Sequence, residues 1–469
     1  MRFSAATTAE RLLPGRVASR AMPMLRRVDA ALFSADERGE AGRMSLFAFA
    51  VRIVSAAIAF VSQVLLARWM GSFEYGIFVL VWVAMVIAGS LSCLGFHTSV
   101  IRFIPEYREK GMFAELRGIL LASRLFVLLA STAIAALGAA GVWLLSGRIE
   151  GYYVAPFFLG MFCLPMIALS DLLQGQARAN SWAYSALLPA YIVRPVLILV
   201  FMALALAAKL PPTAETAVLA AIAATYATTL AQLMRVPVRA ERKIPPGPRT
   251  IRLGYWLKIS LPIFLVESFF FLLTNADVLM VGFYMEPDRV AVYFATVKTL
   301  ALVHFVYFAV KAGVAQRYAS FAHGEPEKLE AFARETVSWT FWPSLAMGLV
   351  VLLLGEPLLL LFGPGFDAGY ELLFLLVAAV VARSAVGPCE SLLTMTGNQN
   401  ICAVVYAMTL ALNVALSVAL IPTLGLWGAA IATSAAMVFE ASVLSVTVWF
   451  KLGIVMAVFL PARRGEEIV

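Results

Sequence analysis

Twelve long apolar blocks constrain this chain more than any other feature. They run over residues 44–67, 76–101, 118–145, 152–174, 184–208, 214–236, 259–284, 290–318, 336–362, 369–394, 400–421 and 426–451. A bilayer's hydrocarbon core is about 30 Å thick and takes about 20 apolar residues of helix to cross, so each block reads as a membrane-spanning helix. Backbone groups in lipid must be satisfied inside their own helix or in a closed barrel. Barrel strands would be about ten residues long with strict alternation, and these blocks do not alternate. Composition agrees: 62% of the residues are hydrophobic and 14% charged, against roughly 45–50% and about 25% in soluble domains. The expected fold class is all-α integral membrane with twelve transmembrane helices.

Basic residues orient the helices. With the N-terminus inside, 26 of the 36 Lys and Arg fall in cytoplasmic segments or at the block ends that adjoin them, four in outward loops and six further inside the blocks. That bias sets orientation in membrane proteins. The net charge of +8 therefore reflects topology and contact with anionic lipid, not nucleic acid. Residues 1–43, with eight arginines and five acids, are too polar for a signal peptide and read as a cytoplasmic tail. Within it, Val17–Phe33 suits either a basic amphipathic helix on the inner leaflet or disorder.

The longest internal break, RAERKIPPGPRTIR, is basic and rich in Pro and Gly, the composition of a connector. It divides the chain into a six-helix bundle (44–236), a connector (237–258), a second six-helix bundle (259–451) and a C-terminal tail (452–469). A faint repeat links the halves. LLARWMGSFEYGIFVL and LMVGFYMEPDRVAVYF each leave an apolar run, turn through acidic residues and return on a tyrosine. Two parallel six-helix repeats are expected.

Ionisable groups at bilayer depth cost at least about 2.5–3.5 kcal/mol each and mark functional paths or paired networks. The candidate cations within the blocks are Arg52, Arg124, Arg194, Lys298, Lys311 and Arg383; the candidate acids are Asp171, Glu267, Asp277, Glu390 and Glu440. Arg194 and Arg383 are deepest. Arg124 and Lys311 lie nearer the cytoplasmic end, where a long side chain can snorkel. Glu390 falls two helical turns after Arg383, and Asn275 two turns after Glu267, so each pair is expected on one helix face. The acids serve either as an ion-coupling site or as partners of the cations. Phe269–Phe271 and Trp339–Trp342 read as lipid-facing or interfacial anchors, the alternative being a sugar site. The small-residue run GLWGAAIATSAA suits close helix packing.

No catalytic constellation is present: no P-loop, no H-E-x-x-H, no G-x-S-x-G and no Rossmann glycine pattern. The outward loops are too short for a catalytic domain. Cys93, Cys163, Cys389 and Cys402 sit in apolar surroundings without ligand spacing and read as buried apolar residues. No cofactor or metal is expected. Without an ATP site, transport would be driven by an ion gradient, the membrane potential or the substrate gradient.

Several stretches resemble a known family. ARWMGSFEYGIF, RFIPEYREKG, LLQGQARAN, DVLMVGFY (Asp277–Tyr284), MTGNQN (Met395–Asn400) and NVALSVALIPTLGLWGAAIATSAA (Asn413–Ala436) are similar, in this order, to segments of bacterial polysaccharide flippases. These belong to the multidrug/oligosaccharidyl-lipid/polysaccharide exporter (MOP) superfamily. The likeness covers Met44 to about Leu452. It implies a V of two six-helix bundles with alternating access, moving polyprenyl-pyrophosphate-linked oligosaccharide (O-antigen or exopolysaccharide repeat units) to the outer leaflet of the bacterial cytoplasmic membrane. The implied partners are that lipid, membrane lipids and other polysaccharide assembly proteins. In that frame Arg52, Arg124, Arg194, Lys298, Lys311 and Arg383 would form a cationic, phosphate-binding lumen. The competing readings are an ion-coupled multidrug exporter and a non-transporting component or enzyme of polysaccharide assembly.

Overall fold

The computed structural model describes residues 37–242, 244–322 and 326–459, with side chains from residue 54 onward except at 312, 316 and 326. The stretch Val17–Phe33 and the side chain of Arg52 lie outside the described residues. Fifteen α-helices account for nearly all of the described chain: α1 (Glu37–Ser92), α2 (Phe96–Glu109), α3 (Phe113–Leu144), α4 (Gly151–Ala179), α5 (Ala183–Leu188), α6 (Arg194–Ala207), α7 (Ala214–Glu241), α8 (Leu253–Leu273), α9 (Ala276–Tyr284), α10 (Pro287–Ala322), α11 (Pro326–Leu360), α12 (Tyr370–Ser384), α13 (Cys389–Met395), α14 (Gln399–Leu424) and α15 (Leu426–Leu452). No strand occurs among the described residues.

Eleven helical stretches among the described residues are long and apolar enough to cross a membrane, the first being Val54–Glu109. That stretch holds two crossings. The 56 residues of α1 would span about 84 Å if straight, far more than the ~30 Å hydrocarbon core. Gly71 bends it, with φ 77° and ψ 168°, a conformation that only glycine adopts without strain. The return is visible in a hydrogen bond of 2.9 Å from Tyr75 Oη to Gln63 Oε1 across the bend. Twelve crossings result. The seventh, expected as one run over 259–284, is split into α8 and α9 at Thr274–Asn275. There Asn275 Nδ2 donates back to the Phe271 carbonyl, 2.9 Å away.

Packing gives the V its shape. One apolar core fuses the two halves at the end carrying the Gly71 bend, here the hairpin end: Tyr75 and Phe78 of α1 share it with Tyr293 of α10, Phe362 and Phe366. At the opposite, connector end there are two separate cores. One holds Phe103, Leu172 and Trp256; the other holds Tyr318, Phe332 and Leu392. The two stretches that the sequence pairs as repeats meet at the hairpin end. Ser72 Oγ donates to Asp288 Oδ1. Arg68 Nε and Nη2 donate to the carbonyls of Leu361 and Leu360 at 2.6 and 3.2 Å. A Cβ on Gly76 would lie 1.8 Å from the Pro287 carbonyl oxygen.

In lipid, such close backbone approach replaces the hydrophobic drive as the source of helix association. Gly76→Val should therefore lower the thermal unfolding midpoint of the detergent-purified protein, by the ~1–3 kcal/mol typical of overpacking. Gly141, with nothing within 4 Å of its virtual Cβ, supplies the control: Gly141→Ala should leave the midpoint unchanged.

At the connector end, residues 244–252 strap onto α3. Thr250 N donates to Ala114 O at 3.0 Å, Arg117 donates to Pro248 O and Pro245 O, and Arg252 pairs with Glu115 at 2.9 Å. The strap leads α8 against α2 of the first half: Trp256 Nε1 donates to Tyr107 Oη at 2.9 Å and Ser260 Oγ to Ser99 Oγ at 2.7 Å. The last described segment, after α15, folds back under the second half. Val458 N donates to Ala385 O at 3.0 Å, and Met456 is fully buried.

Candidate functional site

Two cavities adjoin in the membrane. The larger, about 700 Å³, lies between the halves, with Ser90 and His97 on one side and Glu267, Lys311, Glu390 and Tyr406 on the other. The smaller, about 300 Å³, lies inside the second half and is lined by Asp277, Lys298, His304, Arg383, Asn413 and Glu440, among others. Phe270 and Phe308 line both and form the partition between them.

One charged network runs along this partition. Arg383 Nη2 donates to Glu440 Oε1 at 2.8 Å and stands 3.9 Å from Glu390 Oε2. Its guanidinium carbon sits 4.7 Å from the centre of the Tyr307 ring. Glu390 Oε1 is 2.5 Å from Lys311 Nζ, and Tyr406 Oη donates to Glu390 Oε2. The Lys311 ammonium in turn lies 5.3 Å from the Phe270 ring centre. Glu390 is 2% exposed; a carboxylate buried that deeply needs opposing charge to stay charged, and Lys311 and Arg383 supply it. The local sequence explains its position. Pro388 has no N–H to continue α12, which stops at Ser384, and α13 restarts at Cys389. Arg383 and Glu390 thus face each other across a helix break, not along one continuous face as the sequence suggests.

A second polar chain lies in the first half. Arg194 follows a π-helical turn at Pro189–Val193, a feature frequent at functional sites. Arg194 Nη2 donates to Ser170 Oγ at 2.8 Å, Ser170 Oγ to Gln232 Oε1 at 2.9 Å, and Gln232 Nε2 to the Ser185 carbonyl at 3.4 Å. That carbonyl is free because Pro189, four residues on, has no N–H to give it. Arg194 Nε is buried with no hydrogen-bond partner. Asp171, next to Ser170, accepts from Gln174 Nε2 at 3.1 Å.

Residues 42–315, more than half of the chain, match the family described as polysaccharide biosynthesis protein. The chain belongs to this family. Residues 262–419 also match the MatE family. No curated protein matches the chain in sequence. The fold is that of MOP-superfamily transporters. An inward-facing multidrug resistance MATE family transporter of that superfamily is similar at TM-score 0.68 and 14% identity, over 85% of this chain and 94% of that one. The lipid II flippase MurJ, in an inward closed conformation, also scores 0.68 at 14% identity, over 86% and 87%. A MOP superfamily transporter from Pyrococcus furiosus, described as having a binding pocket of reverse polarity, scores 0.60 at 15% identity, over 87% and 93%.

In this polysaccharide-family chain the structure brings together Lys311, Arg383, Glu390 and Glu440, and sets Lys298 and Asp277 in the same smaller cavity. Lys298 Nζ lies 4.7 Å from the Phe294 ring centre. Asp277 accepts from Val278 N at 2.9 Å and from Tyr293 Oη at 3.2 Å. Arg124 stands apart: it pairs with Glu241 at 2.9 Å and lines neither cavity. Glu267 pairs with His97 Nε2 at 3.2 Å and accepts from Thr98 Oγ1, so it ties α8 to α2 instead of facing Asn275. The described lining alternates cations with acids: Lys298, Lys311 and Arg383 stand against Glu267, Asp277, Glu390 and Glu440.

Sequence reasoning missed His97, Tyr307 and Tyr406, whose partners are distant in the chain. Phe270 carried a signal, as part of the aromatic run Phe269–Phe271, but it lines cavities and does not anchor in lipid. Trp339 and Trp342 are exposed, as interfacial or lipid-facing anchors would be.

Proposed function

We propose that this protein flips polyprenyl-pyrophosphate-linked oligosaccharide repeat units from the inner to the outer leaflet of the bacterial cytoplasmic membrane. The connector end is cytoplasmic, and bundles 44–236 and 259–451 rock about the connector 237–258. With the hairpin end sealed and the 700 Å³ cavity lying toward the connector, the state described here is the one that loads from the cytoplasm.

The observation that carries the reading is Glu390 held between Lys311 and Arg383. An unpaired cation at this depth is costly, so the empty transporter needs a resident anion. A diphosphate entering the larger cavity takes over Lys311, and Glu390 keeps Tyr406 and Arg383. One anion replaces another, and no cation is left bare at any stage. Arg194, which lines neither cavity in this state, would supply a cation from the first bundle. An anion engaged by both bundles binds the closed form more tightly than the open one, and this difference drives closure.

The deciding experiment compares lipid-linked oligosaccharide with surface polysaccharide in a deletion strain. Build-up of lipid-linked single repeats with loss of surface polymer supports flipping. The acids Asp277 and Glu440 in the smaller cavity favour a cation exporter as the second reading; accumulation of toxic organic cations, with both polysaccharide pools unchanged, would establish it. Arg194→Glu should abolish complementation while the protein remains folded in the membrane. Complementation at the wild-type level would remove Arg194 from the mechanism.

A further inference from the structure

The smaller cavity has no role in holding a diphosphate, and its lining points to a different ligand. Its volume of about 300 Å³ is at the bottom of the ~300–1,000 Å³ range of pockets that enclose small molecules. It has room for one sugar ring and no oligosaccharide. Its walls include the aromatic rings Phe270, Phe305 and Phe308, flat apolar surfaces of the kind that pack against the C–H face of a pyranose. Its polar groups are spaced around those rings. Asn413 is 2% exposed and its Oδ1, buried in this cavity wall, has no hydrogen-bond partner. Such an orphan acceptor is uncommon in a native interior and calls for a donor. Thr433 Oγ1 shares a hydrogen bond with Tyr293 Oη at 3.1 Å, and Lys298 has no carboxylate within 4 Å among the described residues. Arg383 is already engaged by Glu440, so the cavity's strongest anion-binding group is occupied.

We propose that this cavity is a subsite for a single sugar ring of the transported headgroup. It is entered from the larger cavity past Phe270 and Phe308, with Asn413 Oδ1 accepting from a ring hydroxyl and Lys298 Nζ donating to ring oxygens. This rests on the flippase reading above. The diphosphate stays with Lys311 on the near side of the partition, and the first sugar sits beyond it. Both cavities then hold the diphosphate and its first sugar together, which fixes their direction of entry.

The test uses the full-length protein in nanodiscs and two kinds of probe: a short-chain prenyl diphosphate, and its glucosyl, galactosyl and N-acetylglucosaminyl esters. At least one sugar ester should bind about tenfold more tightly than the bare diphosphate, the increment expected from one or two good hydrogen bonds. Asn413→Leu, close in volume, should erase that increment and leave affinity for the bare diphosphate unchanged. The thermal unfolding midpoint confirms that the variant is folded, and Asn413→Asp, which keeps an acceptor, should retain part of the increment. If no ester gains over the bare diphosphate, or if Asn413→Leu weakens both probes equally, the subsite is refuted while diphosphate recognition stands. If neither probe binds the wild type, the flippase reading itself fails.

Discussion

Replacing Arg383 by methionine will remove both transport and most of the folded protein, whereas replacing Arg383 by methionine and Glu440 by leucine together will restore the protein without restoring transport. The single change leaves Glu440, 2% exposed, without the donor that holds it at 2.8 Å. Breaking one side of a buried ion pair costs about 3–5 kcal/mol, whereas exchanging both sides for apolar groups is often neutral. The double variant therefore separates the two roles of Arg383. Protein level is read by quantitative blot and thermal unfolding, and transport by surface polysaccharide in the deletion strain. Full complementation by the double variant would show that the Arg383–Glu440 pair is scaffolding alone.

Joining the two hairpins covalently will stop transport. Ser72 and Asp288 are hydrogen-bonded partners across the two halves, so Ser72→Cys with Asp288→Cys places two thiols within reach of a disulfide or a short bifunctional thiol reagent. The four native cysteines are buried and contribute little background. Alternating access requires this end to part in every cycle. Oxidised protein should fall to background transport and recover on reduction, and each single-cysteine variant should be indifferent to oxidant. Wild-type transport by fully crosslinked protein would mean that the hairpin end never opens.

The crossings were legible because hydrocarbon imposes a length and an apolar composition on each, and Gly, Pro and acidic residues punctuate the turns. The contact between the two hairpin motifs was not: LLARWMGSFEYGIFVL and LMVGFYMEPDRVAVYF read only as a faint repeat, yet they meet at Ser72–Asp288 and Gly76–Pro287. Helix interruptions read less well. Apolar runs continue through Thr274–Asn275, where only backbone geometry reveals the break, and through Ala385–Pro388, where Gly387 and Pro388 mark it. The charged residues themselves stood out, because ionisable groups are so rare in such segments. Their partners did not. Glu267 meets His97 and Thr98 from 169 residues away, and helical periodicity, which relates positions three and four apart, carries no information at that distance. It led instead to Asn275, which bonds to its own helix end.

The spacing of the Arg383–Glu440 pair bears on how the chain is made. The partners are 57 residues apart, with α13, α14 and the first half of α15 between them. At the usual 5–20 residues per second of synthesis, Arg383 leaves the ribosome roughly 3–11 s before Glu440 exists. Glu390 travels in the same crossing and is the carboxylate at hand during that interval. The helix break between them is completed later still, when Val458 reaches Ala385. The second half therefore reaches its working charge arrangement only once α15 and the segment after it have been made, and a ribosome stalled before α15 would leave in the membrane a guanidinium sharing Lys311's counterion.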